Sequence, residues 1–259
     1  MTTSERFYST EGIVVRLNDL GESDRIVSLL TPQRGLVRGV AKSARRPNSK
    51  LGGHLDLLRH VTISARTGRS LDSISQAQTM NDFRIIQEDL GRISCGIYLC
   101  ELSEKFSLEG VPSNNTFEIL RYGLGWLERT SNPELFLRWY EMRILQLNGF
   151  QPEIFICTGC GITLEQESQT FSATLGGFIC KVCRPTANDR LLLASVGVIK
   201  ILRFLQNTEC EALENLRVGE GDRHHVGQIL RKHIQGVLDR SVRSTDFLDE
   251  INKWPLAST

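Results

Sequence analysis

The sequence predicts an α+β protein: a small closed β-barrel first, then a helical body with a compact four-cysteine module inserted in it. Three observations carry this. Apolar residues in the first 80 positions alternate with a period of two between Pro/Gly turns, and from Asn81 they recur every three or four positions. Residues 151–187 then break the helical period and hold four of the seven cysteines. At 259 residues, 40% apolar and 24% charged, the composition excludes a disordered chain and leaves material for a sizeable core. No apolar run approaches the roughly 18 residues of a membrane helix. The polar opening MTTSERFYSTEG lacks the apolar stretch of a secretory signal. The expected compartment is the cytoplasm, with no membrane partner.

The strands come first. From Gly12, Ile13, Val15 and Leu17 fall on one face, and Val14, Arg16 and Asn18 on the other. Residues 25–31 and 36–41 are β-rich runs joined by Thr31-Pro32-Gln33-Arg34-Gly35, a turn. Residues 55–65 alternate again, and Thr67-Gly68 reverses the chain into 71–78. Five short antiparallel strands suit a barrel better than a sandwich. The long connection 42–54, rich in Arg, Pro and Gly, is expected to stay unpacked.

The helices follow. One apolar stripe runs through Ile86, Leu90, Ile93, Ile97 and Cys100, and a second through Phe117, Leu120, Leu124 and Leu127. A third helix starts at Asn132, an N-cap, with Pro133 at its first position. It buries Phe136, Tyr140, Ile144 and Leu147 and stops at Asn148-Gly149. Ser195 caps a fourth through Val198, Ile201, Leu202 and Leu205, and a last one spans 226–238. The expected divisions are a barrel at 1–80, a helical domain at 81–153 and 188–259, and the cysteine module at 154–187.

Cys157-Thr-Gly-Cys160 and Cys180-Lys-Val-Cys183, 19 residues apart, have the spacing of a two-knuckle structural zinc site. A two-residue gap lets both thiolates of a turn reach one ion, and Gly176-Gly177 can turn the chain to bring the pairs together. Four thiolates close a tetrahedral shell and leave no position for substrate, so the ion, Zn2+, is structural. Two disulfides or a redox pair compete with this reading, against a cytosolic setting and without a surrounding βαβ pattern. Cys95, Cys100 and Cys210 read as buried small hydrophobes.

The net charge of +1 hides an asymmetry: residues 1–80 carry 12 Lys/Arg against 7 Asp/Glu, and 81–259 carry 19 against 23. Between 25 and 54 lie Arg25, Arg34, Arg38, Lys42, Arg45, Arg46 and Lys50, without a single acid. Arg16 extends the same face. A run of charge is ordinarily a solvated surface, or a dock for an acidic protein, but this imbalance favours nucleic acid. No Phe, Trp or Tyr lies between Tyr8 and Phe83. Base stacking is therefore not expected, and contact should run through phosphates, weakly selective and salt-sensitive.

Nothing assembles a catalytic site. P-loop, dinucleotide, H-E-x-x-H and G-x-S-x-G patterns are missing. His224, His225 and His233 read as surface or helix-end residues before they read as ligands. Glu22 and Asp24, flanking Ser23, have a turn role by default.

These residues resemble the RecO family of bacterial DNA repair and recombination mediators. The likeness runs through Gly12-Ile-Val-Val, Gly21-Glu-Ser-Asp-Arg25, Leu30-Thr-Pro and Ala41-Lys-Ser-Ala-Arg-Arg-Pro47. It continues through Trp139-Tyr-Glu-Met-Arg, Gly149-Phe, both cysteine pairs, Gly176-Gly-Phe and Arg243-Ser-Thr-Asp-Phe-Leu248. It implies an N-terminal OB-fold, a helical domain and an inserted zinc ribbon in a protein that is not an enzyme. Such a protein binds single- and double-stranded DNA, anneals complementary strands and works with RecR, and usually RecF, to load RecA on strands coated by single-strand-binding protein (SSB). The resemblance also implies contact with the acidic SSB C-terminal tail through the helical domain, with Arg138 as a partner. Where many members carry an aromatic before the Gly-Glu-Ser-Asp turn, this chain has Leu20. Some members lack the cysteines, which makes the zinc a scaffold. The rivals are a protein-interaction adaptor that never touches DNA, and a zinc-dependent hydrolase, which would need an open metal position.

Overall fold

β-rich segments become five strands: β1 (Phe7–Leu20), β2 (Asp24–Thr31), β3 (Gly35–Ala41), β4 (His60–Arg66) and β5 (Asp72–Asn81). They close into a barrel in the order β1-β2-β3-β5-β4. The computed structural model describes residues 7–184 and 191–238. Their two compact units are 7–129 and 130–238.

The barrel corrects the all-antiparallel expectation at one seam, where Gly39, Val40 and Ala41 of β3 pair parallel with Asp72, Ser73 and Ile74 of β5. Strands that reverse at every connection leave the third and fifth pointing the same way, so closing one on the other is parallel. Val14, Val27, Leu29, Val37, Val61, Ile63 and Ile74 fill the interior. A β-bulge between Val14 and Arg16 breaks the alternation expected of β1. After Val14 it is Leu17 that packs on the barrel core. Residues 42–59 also differ from expectation, because Ala44, Leu51 and Leu55 pack on the barrel core while Lys42, Arg45, Arg46 and Lys50 stay outside. β4 begins at His60 rather than at 55, since Leu58 lies at φ +70 and its N–H donates to the Val14 carbonyl.

Past the barrel, α1 (Arg84–Gln87) leads into α2 (Leu90–Lys105), which packs on β1 and on α3 (Asn114–Leu127). α3 buries Phe117, Leu120, Leu124 and Leu127 as expected. α2 follows its expected stripe only in part: Ile86 and Cys100 are buried as expected, but Leu90 is 59% exposed, and Cys95, Tyr98, Leu99 and Leu102, off the stripe, are buried as well. Enclosed between sheet and helix, it has no polar half to define a stripe.

In the second unit, α4 (Pro133–Leu147) packs with α5 (Val196–Asn207) and α6 (Glu220–Leu238). Asn132 caps α4 by accepting from the Leu135 N–H at 3.2 Å, and Gly149 follows the helix at φ +78. Phe136, Tyr140 and Ile144 are buried, but Leu147, expected with them, is 44% exposed. Ser195 caps α5 through the Val198 N–H at 3.2 Å. α6 starts at Glu220, six residues before the expected 226, in an acidic first turn that suits a helix N-terminus. Strands β6 (Gln169–Ser172), β7 (Gly177–Ile179) and β8 (Leu192–Ala194) form a sheet in the order β7-β6-β8. Cys210 is buried, as expected. Among the described residues no helix is long and apolar enough to cross a membrane.

Candidate nucleic-acid interface and metal centre

The four cysteines meet because backbone hydrogen bonds fold one knuckle onto the other. Gly176, at φ +72, turns β6 into β7. The Glu153 N–H then donates to Gly176 at 3.0 Å, Phe178 to Glu153 at 2.9 Å, and Thr158 to Phe178 at 3.0 Å. Gly177 has no side chain because a Cβ there would run into the Glu153 carbonyl. The Sγ atoms of Cys157, Cys160, Cys180 and Cys183 all lie within 4.8 Å of one another. Cys160 and Cys180 sulfurs are 3.8 Å apart. That is close to the edge, about 3.8 Å, of a tetrahedron with metal–sulfur bonds of about 2.3 Å.

Burial opposes a thiolate at Cys157, but the N–H groups of Cys180, Cys160 and Gly159 outweigh it and bring the pKa down to about 6. Cys183, sharing hydrogen bonds with the Cys160 and Cys180 sulfurs, is pushed up to about 12. A cation among the four would favour deprotonation of all of them. The donor set fits one thiophilic ion in a closed shell. Among the described residues it is the only such group of His, Cys, Asp and Glu. His233, expected at the surface or a helix end, is instead buried on α6, where its Nε2 donates to the Phe150 carbonyl at 2.7 Å and burial lowers its pKa.

The barrel's basic residues separate into three sets. At one end of β1–β3, Arg25 and Arg45 share Asp19, at 3.6 and 3.4 Å, and Arg45 also donates to the Gly21 carbonyl at 3.1 Å. Lys42 and Arg46 stand exposed beside them and Lys50 stands exposed farther along the same segment, none with a salt bridge among the described residues. In the middle of the sheet, Arg16 pairs with Glu104 at 2.7 Å and Arg38 with Glu109 at 3.7 Å. Arg34, in the β2–β3 turn at the opposite end, lies over the Tyr8 ring at 3.9 Å. The structure thus gathers Arg25, Lys42, Arg45 and Arg46 and leaves Arg34 apart.

Asp24 has the turn role expected of it. Its carboxylate accepts from the Ser43 N–H at 2.8 Å and the Ser23 hydroxyl at 3.1 Å. The Ser43 N–H, then the Ser23 hydroxyl, and Lys42 and Arg46 nearby hold its pKa below the usual value. This bond and one from the Arg45 N–H to the Ser23 carbonyl at 3.0 Å fasten the start of the basic loop to the β1–β2 turn.

Residues 5–83 match the N-terminal family description of recombination protein O, and residues 87–246 match the C-terminal one. The chain is 34% identical over 250 residues to the DNA repair protein RecO of Roseiflexus sp. (strain RS-1), covering 96% of this chain and 87% of that protein. It is also 34% identical over 249 residues to the DNA repair protein RecO of Dehalococcoides mccartyi (strain BAV1), covering 96% and 98%. The chain belongs to the RecO family.

As a RecO-family member it is a DNA repair and recombination protein. Its Arg138 is only 7% exposed and pairs with Glu141, 1% exposed, at 3.2 Å. A Cβ on Gly227 of α6 would come within 2.8 Å of the guanidinium. The Arg243–Leu248 motif lies outside the described residues. Sequence reading missed Glu104 and Glu109 as partners of the basic face. They are far from it along the chain, and the only signal was an acid at each end of the α2 exit.

Proposed function

We propose that this RecO-family chain is a non-enzymatic, cytoplasmic recombination mediator whose barrel, residues 1–80, binds single- and double-stranded DNA and anneals complementary strands. With RecR, and with RecF where needed, it helps RecA load on SSB-coated DNA. One observation carries the reading. The 42–59 segment is packed on its apolar side and pinned by Asp24, yet it presents Lys42, Arg45, Arg46 and Lys50 outward. Cations held on a packed loop neutralise phosphates on two strands and lower the repulsion that opposes their pairing. The absence of aromatics between Tyr8 and Phe83 supports recognition through the backbone rather than the bases. In this reading a single Zn2+ sits among Cys157, Cys160, Cys180 and Cys183 and holds two turns together, with no part in chemistry.

The test is annealing of two complementary oligonucleotides, one precoated with SSB, across a salt series without ATP. Acceleration that fades as salt rises, and a loss of about tenfold or more in DNA affinity for Arg45→Glu/Arg46→Glu across all sequences, are expected. Unchanged affinity in that variant at moderate salt would overturn the assignment. No binding to bare DNA even at low salt would leave an acidic protein as the partner of the loop.

A further inference from the structure

Arg16, Ser28 and Arg38 form a row. Arg16 of β1 is the register partner of Ser28 of β2, and Ser28 that of Arg38 of β3. Directly paired residues share a face, so the two arginines flank the serine on the outside of the barrel, two strand spacings or about 10 Å apart. With Asn18 and Leu36 they line a pocket of about 270 Å³, completed by Glu104 and Glu109. Beside it, α2 packs on β1 and α3 on β1 and β2.

Both carboxylates are set in place by the fold. Glu104 lies in the last turn of α2, 16% exposed; burial raises its carboxyl pKa, and Arg16 opposes that shift. Glu109 follows on a segment tied to the β2–β3 turn: the Leu36 N–H donates to Leu108 at 3.1 Å and the Gly110 N–H to Arg34 at 3.1 Å. Gly35, at φ +62, permits this approach, since a Cβ there would strike the carbonyls of Val111 and Leu108. Two cations on a sheet thus carry two built-in anions where a polyanion would lie.

We propose that Arg16, Ser28 and Arg38 are a subsite for backbone phosphates of a nucleic-acid strand, and that Glu104 and Glu109 hold it closed as internal phosphate mimics. While the carboxylates stay in place they keep the strand's phosphates off the two arginines, so the pair sets a threshold on affinity and on the number of charges engaged. The Arg38–Glu109 pair is exposed and long and holds weakly, whereas Arg16–Glu104 is short with Glu104 half-buried and holds more firmly; a carboxylate and a phosphate take the same guanidinium geometry. This rests on the DNA-binding reading above and adds that part of the basic face is gated.

The test measures binding of the full chain to a fluorescent single strand over a salt series. Glu104→Gln/Glu109→Gln is expected to bind about 3- to 10-fold tighter at moderate salt. Its log–log salt slope should steepen by about 1.4, two phosphates' worth on a single strand. The gain should vanish when Arg16→Gln/Arg38→Gln is added, and this coupling separates gating from a mere rise in net charge. The same charge change at two helix-surface pairs, Glu88→Gln/Glu118→Gln, should leave the slope unchanged. A gain that persists without the arginines, or no gain at all while Arg45→Glu/Arg46→Glu still weakens binding, would overturn the gate and leave the DNA reading intact. No binding by the parent chain at low salt would overturn the DNA reading itself.

Discussion

At the scale of the residue, the second unit turns on Arg138 and Glu141, two charges one turn apart on α4 and both nearly buried. Removing one partner of a buried pair leaves the other charge desolvated, which costs about 3–5 kcal/mol, whereas an apolar pair of similar volume is often tolerated. Arg138→Ala should therefore lower the urea stability of the protein by about that amount, with Arg138→Met/Glu141→Met recovering most of it. An Arg138→Ala protein as stable as its parent would mean that the guanidinium is free to serve a partner at the surface. Gly227 sharpens the expectation, because a side chain there would collide with the guanidinium from α6.

At the scale of the element, β6, β7 and β8 are four, three and three residues long, too short to hold a sheet by their own ladders. An ion bridging the two knuckles would supply what the ladder lacks. Removing the metal with a chelator, or replacing Cys183 by Ala, should abolish amide protection around Cys157–Cys160 and β7. Protection in the barrel strands should persist, as read by hydrogen exchange. Uniform loss across both units would show the metal to be integral to the whole fold. Elements of this kind were legible in the sequence because their chemistry is local: the two-residue gap between cysteines, the Asn132 and Ser195 caps, the one-sided stripe of α3. What was not legible depends on distant chain. The bulge after Val14 is set by pairing with β2, the burial of the middle of α2 on nearly all sides by the elements packed around it, and the β3–β5 seam by the closure of five strands. Among the site residues, the cysteines and the basic loop could be found from spacing and charge. Asp19, Glu104 and Glu109, which tie down half of the basic residues, could not be found before the sheet register was known.

At the scale of the whole molecule, the sequence puts 12 basic against 7 acidic residues in the first 80 and reverses the balance in the remainder. A long polyanion laid along this chain meets attraction at the barrel and repulsion elsewhere, so binding should saturate on a short footprint instead of wrapping. The charges available there are fewer than the sequence offers. Of Arg16, Arg25, Arg34, Arg38, Lys42, Arg45, Arg46 and Lys50, four are ion-paired within the barrel unit, which leaves Arg34, Lys42, Arg46 and Lys50. On single-stranded DNA each neutralised phosphate adds about −0.7 to the log–log slope of affinity against salt, so four cations predict a slope of about −3 and all eight about −6. Titration of a labelled single strand from low to moderate salt reads this directly. A slope near −3 means that the internal pairs survive binding, and that the weak hold on each strand leaves annealed product free to depart. A slope near −6 means that DNA strips Asp19, Glu104 and Glu109 from their arginines. Affinity would then collapse over a narrower range of salt, and the barrel would act as an all-or-none clamp.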